Sequence, residues 1–351
     1  MPPENLPAIL EICRTRRVLV AGDVMLDRFI RGNVSRISPE APVPVVHVTR
    51  EDAYPGGAAN VARNLAPFAG KVHVLGVTGT GPLTSQLHDL LEEHGIDTSG
   101  LLASPEHETI VKTRVVARGQ QVARIDRETI KPPSPALVAR ALAWLDEKLP
   151  EVDAVIIEDY AKGFLTQELV DAITRRAAAL GLPVTVDPNP GNPLRWHQAT
   201  AVKPNRKEAF ETAGLPDPGD VPLWALLERL PALGERLWEK WDTHQLLITL
   251  GEHGMALLEK GRPLYHTPTR AREVFDVSGA GDTAIALYTL ALAAGCSAPQ
   301  AAEISNLASG VVVAKAGTAT LTPDELLEAA RLQKNPAGSA VSAPPSPPAQ
   351  G

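Results

Sequence analysis

Cysteine is nearly missing from this chain: Cys13 and Cys296 are the only two in 351 residues, and neither has close-spaced Cys or His neighbours. A disulfide framework and a structural zinc are excluded, and a reduced setting is expected. Positive charge is also in deficit. The 34 Lys and Arg stand against 41 Asp and Glu, for a net −7, so no global cationic field exists to hold nucleic acid or an anionic membrane surface. Long apolar runs are lacking too. The longest, AIALYTLALAAG from Ala284 to Gly295, is interrupted by Tyr288 and Thr289 and falls short of the roughly 18 residues a bilayer span needs, so it reads as a buried helix. No cationic, apolar leader opens the chain, whose first residues are MPPENL, and a cytoplasmic location is the expectation. The P-loop pattern GxxxxGK[ST] is absent, which removes that class of nucleotide triphosphatase.

What is present is an alternation of short β-branched runs with longer helical segments, the pattern of a parallel sheet covered by helices on both faces. The fold class is α/β. Expected strands are Val18 to Ala21, Val72 to Val77, Ala154 to Ile157, Val184 to Val186 and Leu246 to Thr249. Helices are expected over Leu83 to His94, Pro135 to Lys148 and Gln167 to Leu180. Two segments, Phe29 to Thr49 and Thr109 to Arg127, break the alternation and are rich in Val, Ile, Thr and Arg at strand-like spacing. They are expected to form a small added sheet, either a lid over the carboxyl edge where open α/β sheets bind ligands or an extension of the main sheet. One domain, residues 1–333, is expected, followed by a disordered proline-rich tail over 334–351, since NPAGSAVSAPPSPPAQG cannot offset its ordering entropy.

The most informative stretch is Asp276-Val277-Ser278-Gly279-Ala280-Gly281-Asp282-Thr283, which runs into the apolar helix. Gly279, Ala280 and Gly281 have little or no side chain, so their N–H groups can approach an anion at a helix N-terminus whose dipole favours negative charge. Asp282 would repel a resting phosphate and is better suited to take a proton from a hydroxyl. Phosphoryl transfer to an alcohol uses that pair. The same letters fit a GxGxxA dinucleotide fingerprint, which belongs after a first strand, and also a plain glycine-rich turn ahead of a helix.

Near the other end, Gly56-Gly57-Ala58-Ala59-Asn60-Val61-Ala62-Arg63-Asn64 places two glycines before a helix whose first turn carries Asn60, with Asn64 one turn on. Asn60 offers a donor and an acceptor, and Asp23 and Asp27 supply carboxylates, a set that suits sugar hydroxyls. Helix capping is the alternative for Asn60. Together the two motifs resemble the ribokinase-like carbohydrate kinase family, usually called PfkB, in its GG-x-x-N and D-x-x-G-A-G-D signatures. Asn205-Arg206-Lys207-Glu208, matching N-x-x-E, and Thr249-Leu250-Gly251-Glu252-His253-Gly254 follow in the same order. The resemblance spans Val18 to about Leu332.

That resemblance implies a three-layer sandwich with a central, mostly parallel sheet and a small β-sheet lid. It implies ATP as co-substrate and Mg²⁺. By it, Asp282 would be the general base and Gly279, Ala280 and Gly281 the cradle for the transferring phosphoryl group. Asp23, Asp27, Gly56, Gly57, Asn60 and Asn64 would hold the sugar. Asn205 and Glu208 would orient Mg²⁺ through water, and Thr249, Gly251, Gly254, Ser278 and Asn306 would face the nucleotide. A monovalent cation near Asp276 and Gly317 is a further family feature, and a homodimer through the lid strands is expected.

The stretches GDVMLDRFIRGNVSRISPEAPVPVV, QQVARID and GTATLTPDEL look like the kinase domain of bacterial heptose-phosphate kinases of ADP-heptose synthesis. The implied reaction is phosphorylation of O1 of D-glycero-D-manno-heptose 7-phosphate. Other sugar or sugar-phosphate acceptors, and a catalytically silent sugar-binding relative, are the alternatives. Many such proteins carry a nucleotidyltransferase half downstream; no HxGH motif occurs here, so only the kinase step is expected. The acceptor's phosphate needs a cation, and Lys112, Arg114, Arg118, Arg124 and Arg36 are offered, with Lys112 and Arg114 on one strand face and Arg118 able to join them. Where such kinases usually read Asp-Pro-Lys, this chain has Asp187-Pro188-Asn189, and Lys203 is the candidate to restore the charge. The loop Gly79-Thr80-Gly81-Pro82 also lacks the acidic pair common after that strand.

Overall fold

Along β1 (Arg17–Gly22), Val18 and Val20 point into one apolar core while Leu19 and Ala21 point into a second, the two-faced pattern of a strand buried between helical layers. The computed structural model describes residues 5–334 apart from 272 and 316. Of the expected tail over 334–351, Lys334 instead ends the helix Pro323–Lys334, with only its backbone described, and 335–351 lie outside the described residues.

The remaining strands are β2 (Val24–Ile37), β3 (Pro44–Gly57), β4 (Lys71–Thr78), β5 (Asp97–Ala103), β6 (Ile110–Ala117), β7 (Gln120–Arg127), β8 (Ala154–Glu158), β9 (Val184–Asp187), β10 (Ala201–Val202), β11 (Gln245–Thr249), β12 (Met255–Glu259) and β13 (Tyr265–Thr267). Nine form one sheet in the order β13-β12-β11-β10-β9-β8-β1-β4-β5, parallel from β11 through β5, with β12 and β13 antiparallel at the edge. Helices Ala58–Leu65, Ala280–Ala293 and Ala298–Val312 cover one face. Pro135–Lys148, Gln167–Ala179 and Leu230–Trp241 cover the other. The α/β three-layer architecture read from the sequence is the one observed.

The second sheet has the order β3-β2-β6-β7, with β2 and β6 parallel and the outer pairs antiparallel. It is a separate sheet, not an extension of the first. Its strands are longer than the segment Phe29 to Thr49 suggests. β2 starts at Val24, directly after the core strand, and its first residues are buried; β3 runs on to Gly57, through Pro55-Gly56-Gly57 that reads as a turn. Four core-sheet strands escaped the sequence reading: β5, whose DTSGLLA is rich in turn formers, the two-residue β10, and the edge pair β12 and β13.

The sheet order brings the carboxyl ends of β1, β8 and β9 side by side. Gly22 pairs in register with Glu158, and Glu158 with Asp187. A Cβ at position 22 would collide with the Glu158 carbonyl, so glycine is required for this approach.

Candidate active site

Asp282 stands in the first turn of the helix Ala280–Ala293, behind Gly279 at the N-cap with a left-handed φ of +80°. The loop ahead of it is tied down by Asp276, whose carboxylate accepts from the N–H groups of Ser278 (2.9 Å) and Gly317 (3.1 Å). Burial works against that charge, but these N–H donors hold the Asp276 carboxyl below its ordinary range. Asp276 and Gly317, noted above for a monovalent cation, are thus bonded to each other. Gly281 leaves open the space next to Lys203: a Cβ there would lie 3.5 Å from Lys203 Nζ.

Both oxygens of Asp282 are held. Asn60 Nδ2 donates to Oδ2 at 2.5 Å and the Tyr160 hydroxyl donates to Oδ1 at 3.2 Å. Burial raises the Asp282 carboxyl to about 6; the Asn60 bond opposes this, Asp187 adds to it, and Lys203 and Tyr160 oppose it. Asn60 therefore sits on the base from a helix 222 residues away in sequence. The glycines before that helix make room: a Cβ at Gly56 would stand 2.5 Å from Asp27 Oδ2, and Gly57 carries φ +58°.

Asp27, on β2, forms an ion pair with Arg114 of β6, and its register partner on β6 is Lys112. Lys112 Nζ lies 5.8 Å from the centre of the Tyr160 ring. The small sheet thus reaches over the carboxyl edge of the large one. Two expected sugar contacts also have partners within the fold. Asp23 is buried and accepts N–H bonds from Tyr160, Lys162 and Phe164, so it shapes the loop after β8. Asn64 is fully buried; it donates to the Asn60 carbonyl and accepts from the Thr283 hydroxyl, locking the two helices together. Arg118 does not join Lys112 and Arg114: it lies in the exposed β6–β7 turn with φ +52°. Arg124 pairs with its neighbour Asp126, and Arg36 is exposed.

On the other side, Asn205 caps the helix Arg206–Ala213. Its Oδ1 accepts from Glu208 N–H and Glu208 accepts from Asn205 N–H, a reciprocal capping box that leaves one Glu208 oxygen free of that duty. Gly251 and Gly254 both have positive φ, and a Cβ at 254 would strike the Thr267 carbonyl. Asn306 donates to Thr267 Oγ1 at 2.9 Å and to the Pro268 carbonyl at 2.7 Å. Two cavities meet here. One, of about 650 Å³, is lined by Glu158, Tyr160, Asp187, Lys203, Glu208 and Asp282. The other, of about 450 Å³ and more apolar, is lined by Gly254, Met255, Asn306 and Val313, and both touch Thr249, Gly251, Val277 and Gly281. Ser278 is exposed beside them.

The sequence reading named neither Glu158 nor Tyr160 and gave Asp187 no role, yet all three face the cleft. Carboxylate oxygens of Glu158, Asp187 and Asp282 lie within 4.8 Å of one another. Burial raises Glu158 well above its ordinary range, with Asp187 and Asp282 adding to it, and its Oε2 has no partner. Lys203 Nζ stands 2.7 Å from Asp187; burial disfavours its charge, but Asp187 outweighs that and keeps the ammonium protonated. An acid placed directly after an apolar strand, as in AVIIED and VTVD, was the available signal.

A family model described as pfkB family carbohydrate kinase matches residues 15–325. The chain belongs to this family. Among curated relatives, the bifunctional protein HldE of Desulfatibacillum aliphaticivorans is 41% identical over 337 residues, covering 96% of this chain and 67% of that protein. HldE of Magnetococcus marinus is 45% identical over 316 residues, covering 89% and 63%. The chain therefore spans about two thirds of the length of these relatives. Solved neighbours share the fold: phosphofructokinase-2 from Escherichia coli in complex with substrates and products has a TM-score of 0.71 at 19% identity over 91% of this chain and 100% of that one. Arabidopsis thaliana ribokinase complexed with ribose and ATP gives 0.69 at 17% over 90% and 98%. As a PfkB carbohydrate kinase the chain is a phosphotransferase with an alcohol group as acceptor. Among the described residues no helix is long and apolar enough to cross a membrane.

Proposed function

We propose that this kinase transfers the terminal phosphoryl group of ATP to O1 of D-glycero-D-manno-heptose 7-phosphate, giving the 1,7-bisphosphate and ADP. The observation that carries the reading is Asp282, buried at a glycine-rich helix N-terminus and held by Asn60 on one oxygen and Tyr160 on the other. With a pKa of about 6 it is ionised at neutral pH and basic enough to take the O1 proton. The amides of Gly279, Ala280 and Gly281 receive the oxygens of the transferring group, and Lys203 adds a fixed positive charge beside them. Asn60 and Asp27 hold sugar hydroxyls. Thr249, Gly251, Gly254, Ser278 and Asn306 line the nucleotide side.

The donor set fits Mg²⁺: hard carboxylate oxygens from Asp187 and Glu158, the latter with an unpartnered buried Oε2, and Asn205 and Glu208 within reach through water. The ion would neutralise phosphate charge. Heptose 7-phosphate is favoured over a neutral sugar by the HldE relatives and by Lys112, whose ammonium has no carboxylate within ion-pair distance among the described residues. Exposed Ile37, Val48, Val122 and Ile125 in the small sheet, with Val43 in the β2–β3 connection, support a homodimer through that sheet, and a cytoplasmic location belongs to the same reading. The test is coupled ADP release with heptose 7-phosphate, heptose, fructose 6-phosphate, fructose and ribose. Turnover with heptose 7-phosphate should exceed the others; equal or better rates with ribose or fructose would overturn the acceptor assignment.

A further inference from the structure

Tyr160 links two features that the sequence keeps far apart. Its hydroxyl meets the carboxylate of Asp282 at 3.2 Å, and its ring lies under the ammonium of Lys112 from the small sheet, 5.8 Å from the ring centre. Considerable structure is devoted to placing it. Asp23, a buried acid, accepts from the N–H of Tyr160 at 3.0 Å and of Lys162 at 3.0 Å, and Asp159 accepts from Ala161 N–H at 2.8 Å. Between them Ala161 is forced to φ +54°, a left-handed conformation that an L-residue adopts only against a steric cost. Strain next to a cleft residue marks a conformation fixed for function. In that bond the Tyr160 hydroxyl donates and the Asp282 carboxylate accepts.

We propose that Tyr160 is a positioning residue that couples recognition of the acceptor's phosphate at Lys112 to the orientation of Asp282. An acceptor phosphate docking on Lys112 presses the ammonium against the ring, and the hydroxyl of that same ring fixes the rotamer of the base. A phosphate-free sugar engages neither the ammonium nor, through it, the ring. This inference rests on the proposed roles of Asp282 as base and of a sugar phosphate as acceptor.

The test separates ring from hydroxyl. Tyr160→Phe keeps the ring; its kcat should fall roughly tenfold to a hundredfold, the loss of one hydrogen bond to a carboxylate, with KM for heptose 7-phosphate and for ATP within about twofold of wild type. Tyr160→Leu removes both; it should share the kcat loss and also raise KM for heptose 7-phosphate about tenfold, leaving KM for ATP and for unphosphorylated heptose in place. A wild-type kcat in Tyr160→Phe overturns the proposal, as does an equal rise of all three KM values in Tyr160→Leu. If the wild-type chain turns over none of the five acceptors, the proposed function falls separately. Calorimetry with heptose 7-phosphate then still tests the link from Lys112 to the ring: weaker binding to Tyr160→Leu than to Tyr160→Phe supports that link, and equal or undetectable binding refutes the proposal.

Discussion

Replacing Asp282 by Asn should abolish turnover and, at the same time, make the protein more stable. The side chain is buried, and its carboxyl is raised from an ordinary 3.8 to about 6, chiefly by loss of solvation and by Asp187. Ionising it in the folded state therefore costs about 3 kcal/mol relative to the unfolded chain. The sign follows from proton linkage. A folded-state pKa above the unfolded one means that the native state binds the proton more tightly, so the destabilisation is absent below about pH 4, grows between 4 and 6, and is complete above 6. Asparagine escapes it. Its side-chain oxygen can keep the bond from Asn60 Nδ2 and its amide can donate to the Tyr160 hydroxyl, so no buried group loses its partner. Thermal unfolding followed by circular dichroism, without nucleotide and with chelator present, should show Asp282→Asn melting roughly 5 °C above wild type at pH 8. The two should converge near pH 4. A variant no more stable than wild type at pH 8, or a gain of the same size at both pH values, would refute the burial argument.

The same carboxyl sets the acid limb of the rate profile: kcat/KM for the acceptor, which reports the free enzyme, should drop about tenfold per pH unit below 6, and a limb near pH 4 would show that the base is not Asp282. Lys203→Met, which removes a buried cation 2.7 Å from Asp187, should cut kcat a hundredfold or more, whereas Lys207→Ala on the exposed helix face should stay within about threefold; equal losses would reject the role of Lys203. Gly56→Ala puts a methyl 2.5 Å from Asp27 Oδ2 and should raise KM for the acceptor at least fivefold with KM for ATP unchanged, measured by varying each substrate in turn. A normal acceptor KM would detach Asp27 from the sugar site.

What could be read from the residues was whatever lies contiguous in the chain. Asp276 to Thr283 carries its small residues, its acid and its helix within one stretch, so the anion cradle and the base could be named together. Glu158 and Asp187 become neighbours only because the sheet order sets β9 beside β8, a fact of topology that no local window contains. Tyr160 is similar: its hydroxyl finds Asp282 across 122 residues. Polar residues were the least legible. Asp23 and Asn64 have the right chemistry for sugar hydroxyls, yet one is occupied by three backbone N–H groups and the other by a second helix. Composition cannot distinguish an acid that holds a ligand from one that holds a loop.

The cleft's charge distribution explains why Lys203 comes from β10 and not from the loop after β9. Glu158, Asp187 and Asp282 crowd within 4.8 Å, and at that range two unit charges repel by about 3 kcal/mol at an effective dielectric constant near 20. Such a site rejects phosphates unless a cation stands inside it. Asn189, in the loop, has no charge and its Oδ1 is bonded to Gly191 N–H, so it cannot serve. Lys203 follows a two-residue strand whose partners are β9 and β11, and the Lys203 N–H donates to the Val186 carbonyl, which fixes its backbone at the carboxyl edge. From there the ammonium reaches Asp187 and the space that glycine leaves at 281. One buried cation thus offsets the acids on one side and faces the helix N-terminus on the other, and the absent side chain of Gly281 is what lets it do both.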